Sequence, residues 1–378
     1  MKQKYDVAAY VWPSYTGDER RARIFWNEGY GEWQTVHNAK KNSAEKPYGY
    51  EWNRRPLWGY VNEANPDVME MEINCAYKHG VNVFIYDWYW YDDRPFLENC
   101  LNDGYLKAKN NDLVKFYIMW ANHDANHAWS IDLSDELLND VIWRGDVNFD
   151  IFKKLVARWI EKYFSHPSYY KIDGKPVFMI YTVKNFLKGL GGSDNARAAI
   201  EYFREEVVRA GFPGLHLQAA YLEHEGFEYD GCYGGKAGNV YDLLGFDSTT
   251  HYNMGKRVDR NKDYTEIIKD HKSTYDRMEK SGMVYFPQVS VGWDGNPRFR
   301  KFWPEIMTNN TPENIKVAMN QAKEYVDSHD LPAPLVVINS WNEWTETSYL
   351  QPDNLYGYGY LEAVRDVFCE ECKDDSKK

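Results

Sequence analysis

Two acidic residues three positions apart, Glu343 and Glu346, stand in the stretch Ser340-Trp341-Asn342-Glu343-Trp344-Thr345-Glu346, directly after a short apolar run. A glycosidic bond is stable at neutral pH. Breaking it takes a proton delivered to the leaving oxygen and a second group that assists at the sugar ring. Two neighbouring carboxyls divide these roles, because burial and mutual repulsion push their pKa values apart. The plainer reading makes both of them surface charges in a loop, but the flanking Trp341 and Trp344 argue against full exposure.

Other chemistries are less well served. His123 and His127 are spaced i, i+4 and would share one face of a helix, as zinc ligands do. Their H-D-A-N-H run has Asp where the zinc-protease motif has Glu, so solvated or substrate-facing histidines are expected and no metal. There is no G-x-S-x-G and no cysteine at a suggestive strand end, and no G-x-G-x-x-G follows the first apolar run. Cys369 and Cys372 form a C-x-x-C near a charged end with no second pair, and Cys75, Cys100 and Cys232 are scattered, so neither a zinc site nor a disulfide framework is expected. No cofactor is expected.

The elements that must position the two glutamates are short apolar runs alternating with longer helical patterns. Strands are predicted at Tyr5–Val11, Val81–Tyr86, Lys115–Trp120, Val177–Tyr181, Leu215–Ala220, Leu244–Ser248, Val284–Val291 and Leu335–Asn339. Helices are predicted at Pro66–His79, Phe149–Phe164, Ala196–Ala210, Tyr264–Glu279, Pro312–Ser328 and Tyr360–Cys369, with the link from Ala220 to Leu244 unassigned. About eight such units predict an α/β fold, a single-domain (β/α)8 TIM barrel spanning residues 1–370 with a charged tail at 371–378. The stretch from Trp12 to Asn65 is too long for a bare connection and is expected to be a functional loop over the barrel mouth.

In such a barrel, chemistry sits where strands end. The residues there are candidate substrate contacts: Asp87, Trp88 and Tyr89; Trp120 and Asn122; Tyr181; His251 and Tyr252; Trp293 and Asp294; Trp341 and Asn342; with Trp12 and Trp33 from the long loop. Flat rings and amides recurring at one end of the strands are what a sugar cleft needs. Composition points the same way, with 15 Trp and 31 Tyr in 378 residues. A net charge of −12 argues against nucleic acid or an anionic membrane as partner and fits a neutral oligosaccharide or polysaccharide. No segment is long enough to span a membrane, and the start lacks the apolar stretch of a signal peptide, which leaves the compartment open: cytoplasmic, or periplasmic or extracellular if a leader has been removed. Oligomeric state is not readable.

Several ordered motifs carry a family resemblance across nearly the whole chain: Gly31-Glu32-Trp33, Phe84-Ile85-Tyr86-Asp87-Trp88-Tyr89-Trp90, Met119-Trp120-Ala121-Asn122, Tyr170-Lys171-Ile172-Asp173-Gly174-Lys175-Pro176-Val177, Gly292-Trp293-Asp294, Trp341-Asn342-Glu343-Trp344, Tyr349-Leu350-Gln351-Pro352-Asp353 and Tyr358-Gly359-Tyr360-Leu361-Glu362-Ala363. The chain resembles glycoside hydrolase family 99 and the broader family-99-like domain, some of whose members carry the label WbsX-type O-antigen glycosyltransferase. The resemblance implies a (β/α)8 barrel and endo-acting, retaining cleavage of α-mannosides. It implies Glu343 as the base toward the sugar's own 2-hydroxyl, which attacks the anomeric carbon to give an epoxide-like intermediate, and Glu346 as the general acid/base. The sequence departs from the family at Thr345 and Thr347, where the hydrolases have His and Gly, and at Gln351, where a carboxylate is common. Loss of that Gly bears on the loop's backbone, since Gly permits angles that Thr does not. An α-mannoside and a rhamnoside or other deoxy-sugar linkage stay open. So do a glycosyltransferase acting in polysaccharide synthesis and a non-catalytic carbohydrate-binding protein.

Overall fold

The computed structural model describes residues 3–17, 19–43, 49–132, 137, 140–220, 240–253 and 261–369. Cys232, Cys372 and the tail at 371–378 lie outside the described residues.

Eight parallel strands form a nearly closed barrel: β1 (Asp6–Val11), β2 (Val83–Tyr91), β3 (Lys115–Trp120), β4 (Lys175–Ile180), β5 (His216–Ala220), β6 (Ser248–Thr250), β7 (Gln288–Ser290) and β8 (Leu335–Asn339). From β1 to β6 each strand pairs with the next in the chain, β7 pairs with β8, and β1 also pairs with β8, with Ala9 opposite both Phe84 and Ile338. The ring closes at a parallel bridge between Thr249 and Tyr285: Thr249 N–H donates to the Val284 carbonyl (2.8 Å) and Phe286 N–H to the Thr249 carbonyl (2.9 Å).

Helices wrap the ring: α1 (Trp33–Ser43), α2 (Pro66–Lys78), α3 (Phe149–Trp159), α4 (Val183–Leu190), α5 (Ser193–Arg209), α6 (Val240–Leu244), α7 (Tyr264–Lys280), α8 (Pro312–Ser328) and α9 (Gly359–Phe368). Their starts are coded locally. Asn65, Asn148, Asp263 and Thr311 each accept a backbone N–H of the first turn of α2, α3, α7 and α8, and Pro66 and Pro312 sit where a helix needs no donor.

Three expectations are corrected. Leu244–Ser248 is not a strand. The apolar Leu243-Leu244 pair belongs to α6, and the strand is the polar run Ser248-Thr249-Thr250, buried because its hydroxyls are satisfied: Thr250 Oγ1 donates to the Phe286 carbonyl (2.9 Å). Val284–Val291 is not one strand either. Pro287, with no N–H to give, divides a bridge to β6 from the pairing with β8. The long stretch after β1 is not all loop, since it contains α1.

Behind the turn after β8 lies a buried acid pair. Glu63 and Glu72 are both fully buried, and Gln351 Nε2 donates to one at 3.0 Å and to the other at 3.1 Å. Trp341 Nε1 donates to Glu72 and Asn342 Nδ2 to Glu63, each at 2.8 Å, so the pair ties the segment that carries Glu343 to α2 and the loop before it. Burial pushes both carboxyls up, Glu72 to about 7, and the negative charge of Glu72 adds to the effect on Glu63. A carboxyl raised on folding stabilises fully below its unfolded value and loses that contribution as pH rises through the folded value. For Glu72 that loss falls between about pH 4.5 and pH 8. Glu72→Gln, which needs no proton, is therefore expected to lose less Tm than the wild type between about pH 5 and pH 9; equal Tm slopes in a thermal-melt series would show that the pair does not titrate with folding.

Candidate active site

At the C-terminal ends of the strands opens a cleft of about 820 Å³. Glu343 and Glu346 lie at its floor, and Trp12, Tyr89, Trp129, Tyr181, Tyr252, Trp293, Phe299 and Trp303 line it.

A single guanidinium organises the floor. Arg298, in the turn after β7, donates from Nη1 to Glu346 Oε1 (2.8 Å) and from Nε to Glu32 Oε1 (2.9 Å), and its Nη2 faces Glu343 Oε1 at 3.6 Å. Glu32 is fully buried and held from the other side: Ser14 Oγ (2.9 Å) and Trp12 Nε1 donate to its Oε2, and Thr345 Oγ1 to its Oε1 (2.9 Å). Burial alone would lower the Arg298 pKa, but Glu32, Glu346 and Glu343 outweigh it and hold the pKa far above the ordinary arginine range. Glu343 receives the Tyr252 hydroxyl at Oε2 (2.7 Å). Burial first, then the charge of Glu346, pushes Glu343 well above the usual carboxylate range, against the opposing pull of Arg298 and Tyr252. Asp87, also raised by burial, meets the same tyrosine hydroxyl at 3.1 Å.

The turn carrying both glutamates has an unusual backbone. Thr347 sits at φ 56°, a left-handed conformation costly for a β-branched residue. Its hydroxyl donates to the Asp294 carbonyl (3.0 Å) and accepts from Trp52 Nε1 (2.9 Å). The shape a glycine would give freely is kept here by two hydrogen bonds. Gly292 is required opposite, because a Cβ there would overlap the Thr347 carbonyl oxygen. Gly31 is required for the same reason: it has φ 64°, and a Cβ would overlap the Ser14 carbonyl.

Of the candidates named from sequence, Trp12, Asp87, Tyr89, Tyr181, Tyr252, Trp293, Glu343 and Glu346 line the cleft. The others are placed elsewhere. Trp88 faces outward, where its Nε1 donates to Glu98 (2.8 Å) and its ring packs on Trp159; Trp120 packs on Trp159, Phe152 and Phe186. Trp341 packs on Phe84 and bonds Glu72. The reason is the strand period: neighbours along a strand point to opposite faces, so Asp87 and Tyr89 face in while Trp88 and Trp90 face out. Trp33 is buried under the long loop, donating to the Val61 carbonyl and packing on Tyr15. His251 is buried within the barrel against the Tyr285 hydroxyl (2.9 Å).

Asn122 and Asn342 act on backbone. Asn342 accepts Trp12 N–H (2.8 Å) and donates to the Trp12 carbonyl (2.9 Å); Asn122 does the same for Thr182, at 2.8 Å both ways. Each amide extends the sheet by one pairing past its last strand residue. Asp294 is structural too. It accepts from Tyr50 (2.9 Å) and from Asn296, and its own N–H donates to the Glu346 carbonyl (2.8 Å). His123 lines the cleft and His127 begins a separate 3-10 turn, so the two do not share a helix face.

Sequence reasoning missed Arg298, Asp124, Trp129, Phe299, Trp303 and Glu305 on the cleft wall. Glu32 stood in a quoted motif without a role. Trp303 is 41% exposed at the rim, yet Asn296 pins its backbone by accepting its N–H and donating to its carbonyl, both at 2.8 Å. Only Trp12, Trp129, Trp293 and Trp303, of 15 tryptophans, line the cleft, so most of the tryptophan excess serves packing.

Fold and cleft together define a (β/α)8-barrel protein whose carboxylates and aromatic side chains converge at the strand C-terminal ends. The chain belongs to the family described as Glycosyltransferase WbsX, whose profile matches residues 7–364. It is 24% identical over 355 residues to the uncharacterized protein WxcX of Xanthomonas campestris pv. campestris, a match covering 90% of this chain and 46% of the relative. The chain thus spans about half the length of the curated relatives it matches. In fold it is similar to the GH99 endo-alpha-mannosidase from Bacteroides thetaiotaomicron, with 13% identity, TM-score 0.57 and full coverage of both chains. It is also similar to a glycoside hydrolase-like protein, with 15% identity, TM-score 0.60, 97% of this chain and 94% of the other.

Removing one partner of a buried ion pair leaves an uncompensated charge. Arg298→Met is expected to cost about 3–5 kcal/mol, and adding Glu32→Gln to recover part of it. Urea denaturation of the two single variants and the double variant measures the coupling; strict additivity would show that the two groups do not depend on each other.

Proposed function

We propose that this chain is a glycoside hydrolase that cleaves an α-linked glycan, α-mannoside-like or with a deoxy-sugar linkage, using Glu343 and Glu346 as its proton-transfer pair. The observation that carries the reading is the meeting of these two carboxylates on one guanidinium at the floor of an aromatic-walled cleft. Their surroundings differ in a way that supports different roles. Glu343 is the more enclosed, with its side chain 5% exposed, and is held by the Tyr252 hydroxyl; Glu346 is 16% exposed. The more enclosed group suits a fixed base toward the sugar's 2-hydroxyl. The more open one suits an acid/base that must protonate the leaving oxygen, receive a water and exchange its proton with solvent. Retention through the 2-hydroxyl follows on this reading.

The family's description favours a second reading, a glycosyltransferase. A nucleotide-sugar donor brings a diphosphate, which needs a metal site or spare cations. The described cleft carries Asp87, Asp124, Glu305, Glu343 and Glu346 against Arg298, a guanidinium already paired with Glu32 and Glu346. That balance supports a neutral glycan over a diphosphate.

Digestion of a polysaccharide and oligosaccharide panel is expected to release products with the wild type. Glu346→Gln is expected to lose about 10²–10⁴-fold in turnover while still binding the same glycan. Full activity in that variant would remove Glu346 from the chemistry. Tight binding of a nucleotide sugar by calorimetry, with no glycan cleaved, would favour the transferase.

A further inference from the structure

The Tyr252 hydroxyl has one hydrogen and two carboxyl neighbours. Its oxygen lies 2.7 Å from Glu343 Oε2 and 3.1 Å from Asp87 Oδ2. A tyrosine has one hydrogen to give, so unless that hydrogen is shared between the two contacts it accepts at one of them, from a carboxyl that carries a proton. The surroundings decide which. Glu343 makes the shorter contact and has Arg298 Nη2 at 3.6 Å from its other oxygen. Asp87 points inward from β2 and has no ion pair among the described residues, and its Oδ1 is buried without a hydrogen-bond partner. Among the described residues, the groups facing Asp87 are Tyr10 from β1, Tyr89 from β2, Tyr252 after β6, and Glu343 and Glu346 after β8, none of them a cation. Arg298 reaches only the two glutamates among these.

We propose that Asp87 is a neutral carboxylic acid in the resting site, donating its O–H to Tyr252, which donates in turn to an ionised Glu343. Asp87 is then a positioning residue. It adds no charge beside Glu343 and fixes the tyrosine's hydrogen on the side where an anionic base needs it. Burial lifts the pKa of both carboxyls, so the choice between them rests on the hydrogen count and on Arg298. A low-dielectric pocket is known to keep an acid protonated at neutral pH in this way. The role given to Glu343 rests on the glycosidase reading above; the protonation of Asp87 does not.

Infrared difference spectroscopy on the whole chain without glycan tests the idea at neutral pH, because a protonated carboxyl has a carbonyl band that a carboxylate lacks. Subtracting Asp87→Asn from the wild type is expected to show the loss of one such band, and subtracting Glu343→Gln to leave it in place. Tyr252→Phe, which removes the acceptor, is expected to shift that same band. If Asp87→Asn does not fold, a band that persists in Glu343→Gln and shifts in Tyr252→Phe carries the proposal. A band lost in Glu343→Gln, or unchanged in Tyr252→Phe, overturns it. Failure to cleave any glycan would end the hydrolase reading and leave this measurement intact.

Discussion

The Arg298 guanidinium is a charge placed where the fold can least easily keep one, and the site is built around satisfying it. Taking an ion out of water costs several kcal/mol unless its partners are close and well aligned. Arg298 finds Glu32 from the segment after β1 and Glu343 and Glu346 from the turn after β8, while it comes itself from the turn after β7. Three segments far apart in sequence are thereby held to one point. Glu32 stays in place only because Trp12, Ser14 and Thr345 saturate its oxygens. Glu32 thus anchors the cation, and the cation in turn orients the two carboxylates that face the cleft.

The parts of the fold legible in sequence were those with local causes. Lys115–Trp120, Leu335–Asn339 and Pro312–Ser328 fall within the bounds expected of them, because apolar runs and helix caps act over a few residues. Leu244–Ser248 failed because β6 is polar. A buried strand of Ser and Thr is acceptable when its hydroxyls find carbonyls, and a hydropathy pattern cannot see those partners. The candidate site divides along the same line. Knowing where strands end located Asp87, Tyr252 and Glu343. Listing consecutive residues ignored the two-residue period that turns Trp88 and Trp120 toward the helices. Arg298 was invisible because its three partners stand 45 or more residues away and nothing in Asn296-Pro297-Arg298 marks it as buried.

Asparagine shows how residue type alone misleads. Asn122, Asn342 and Asn296 sit beside the cleft, where an amide is expected to read hydroxyls. Each instead accepts the backbone N–H and donates to the backbone carbonyl of one other residue. An amide side chain has the donor and acceptor of a peptide unit, so it continues a sheet where the strand itself turns away. Two of the three residues so held, Trp12 and Trp303, are cleft-lining aromatic groups. Rigid backbone beneath a large ring keeps a flat surface ready for a ligand without an ordering cost at binding.

Charge sets what such a cleft can accept. Glu32, Glu343 and Glu346 surround one cation, and a fourth carboxyl, Asp87, stands beside them. Among the described residues four carboxyls crowd one guanidinium, and burial raises both Asp87 and Glu343. An anionic ligand entering this floor would meet like charge on the described carboxyls. On the proposed hydrolase reading a neutral sugar would meet no such repulsion, and as its glycosidic bond broke the anomeric centre would gain positive character, which a fixed negative field stabilises more than it stabilises the ground state. On that reading the carboxylates of the described floor serve a ligand that becomes positive only on its way through the reaction.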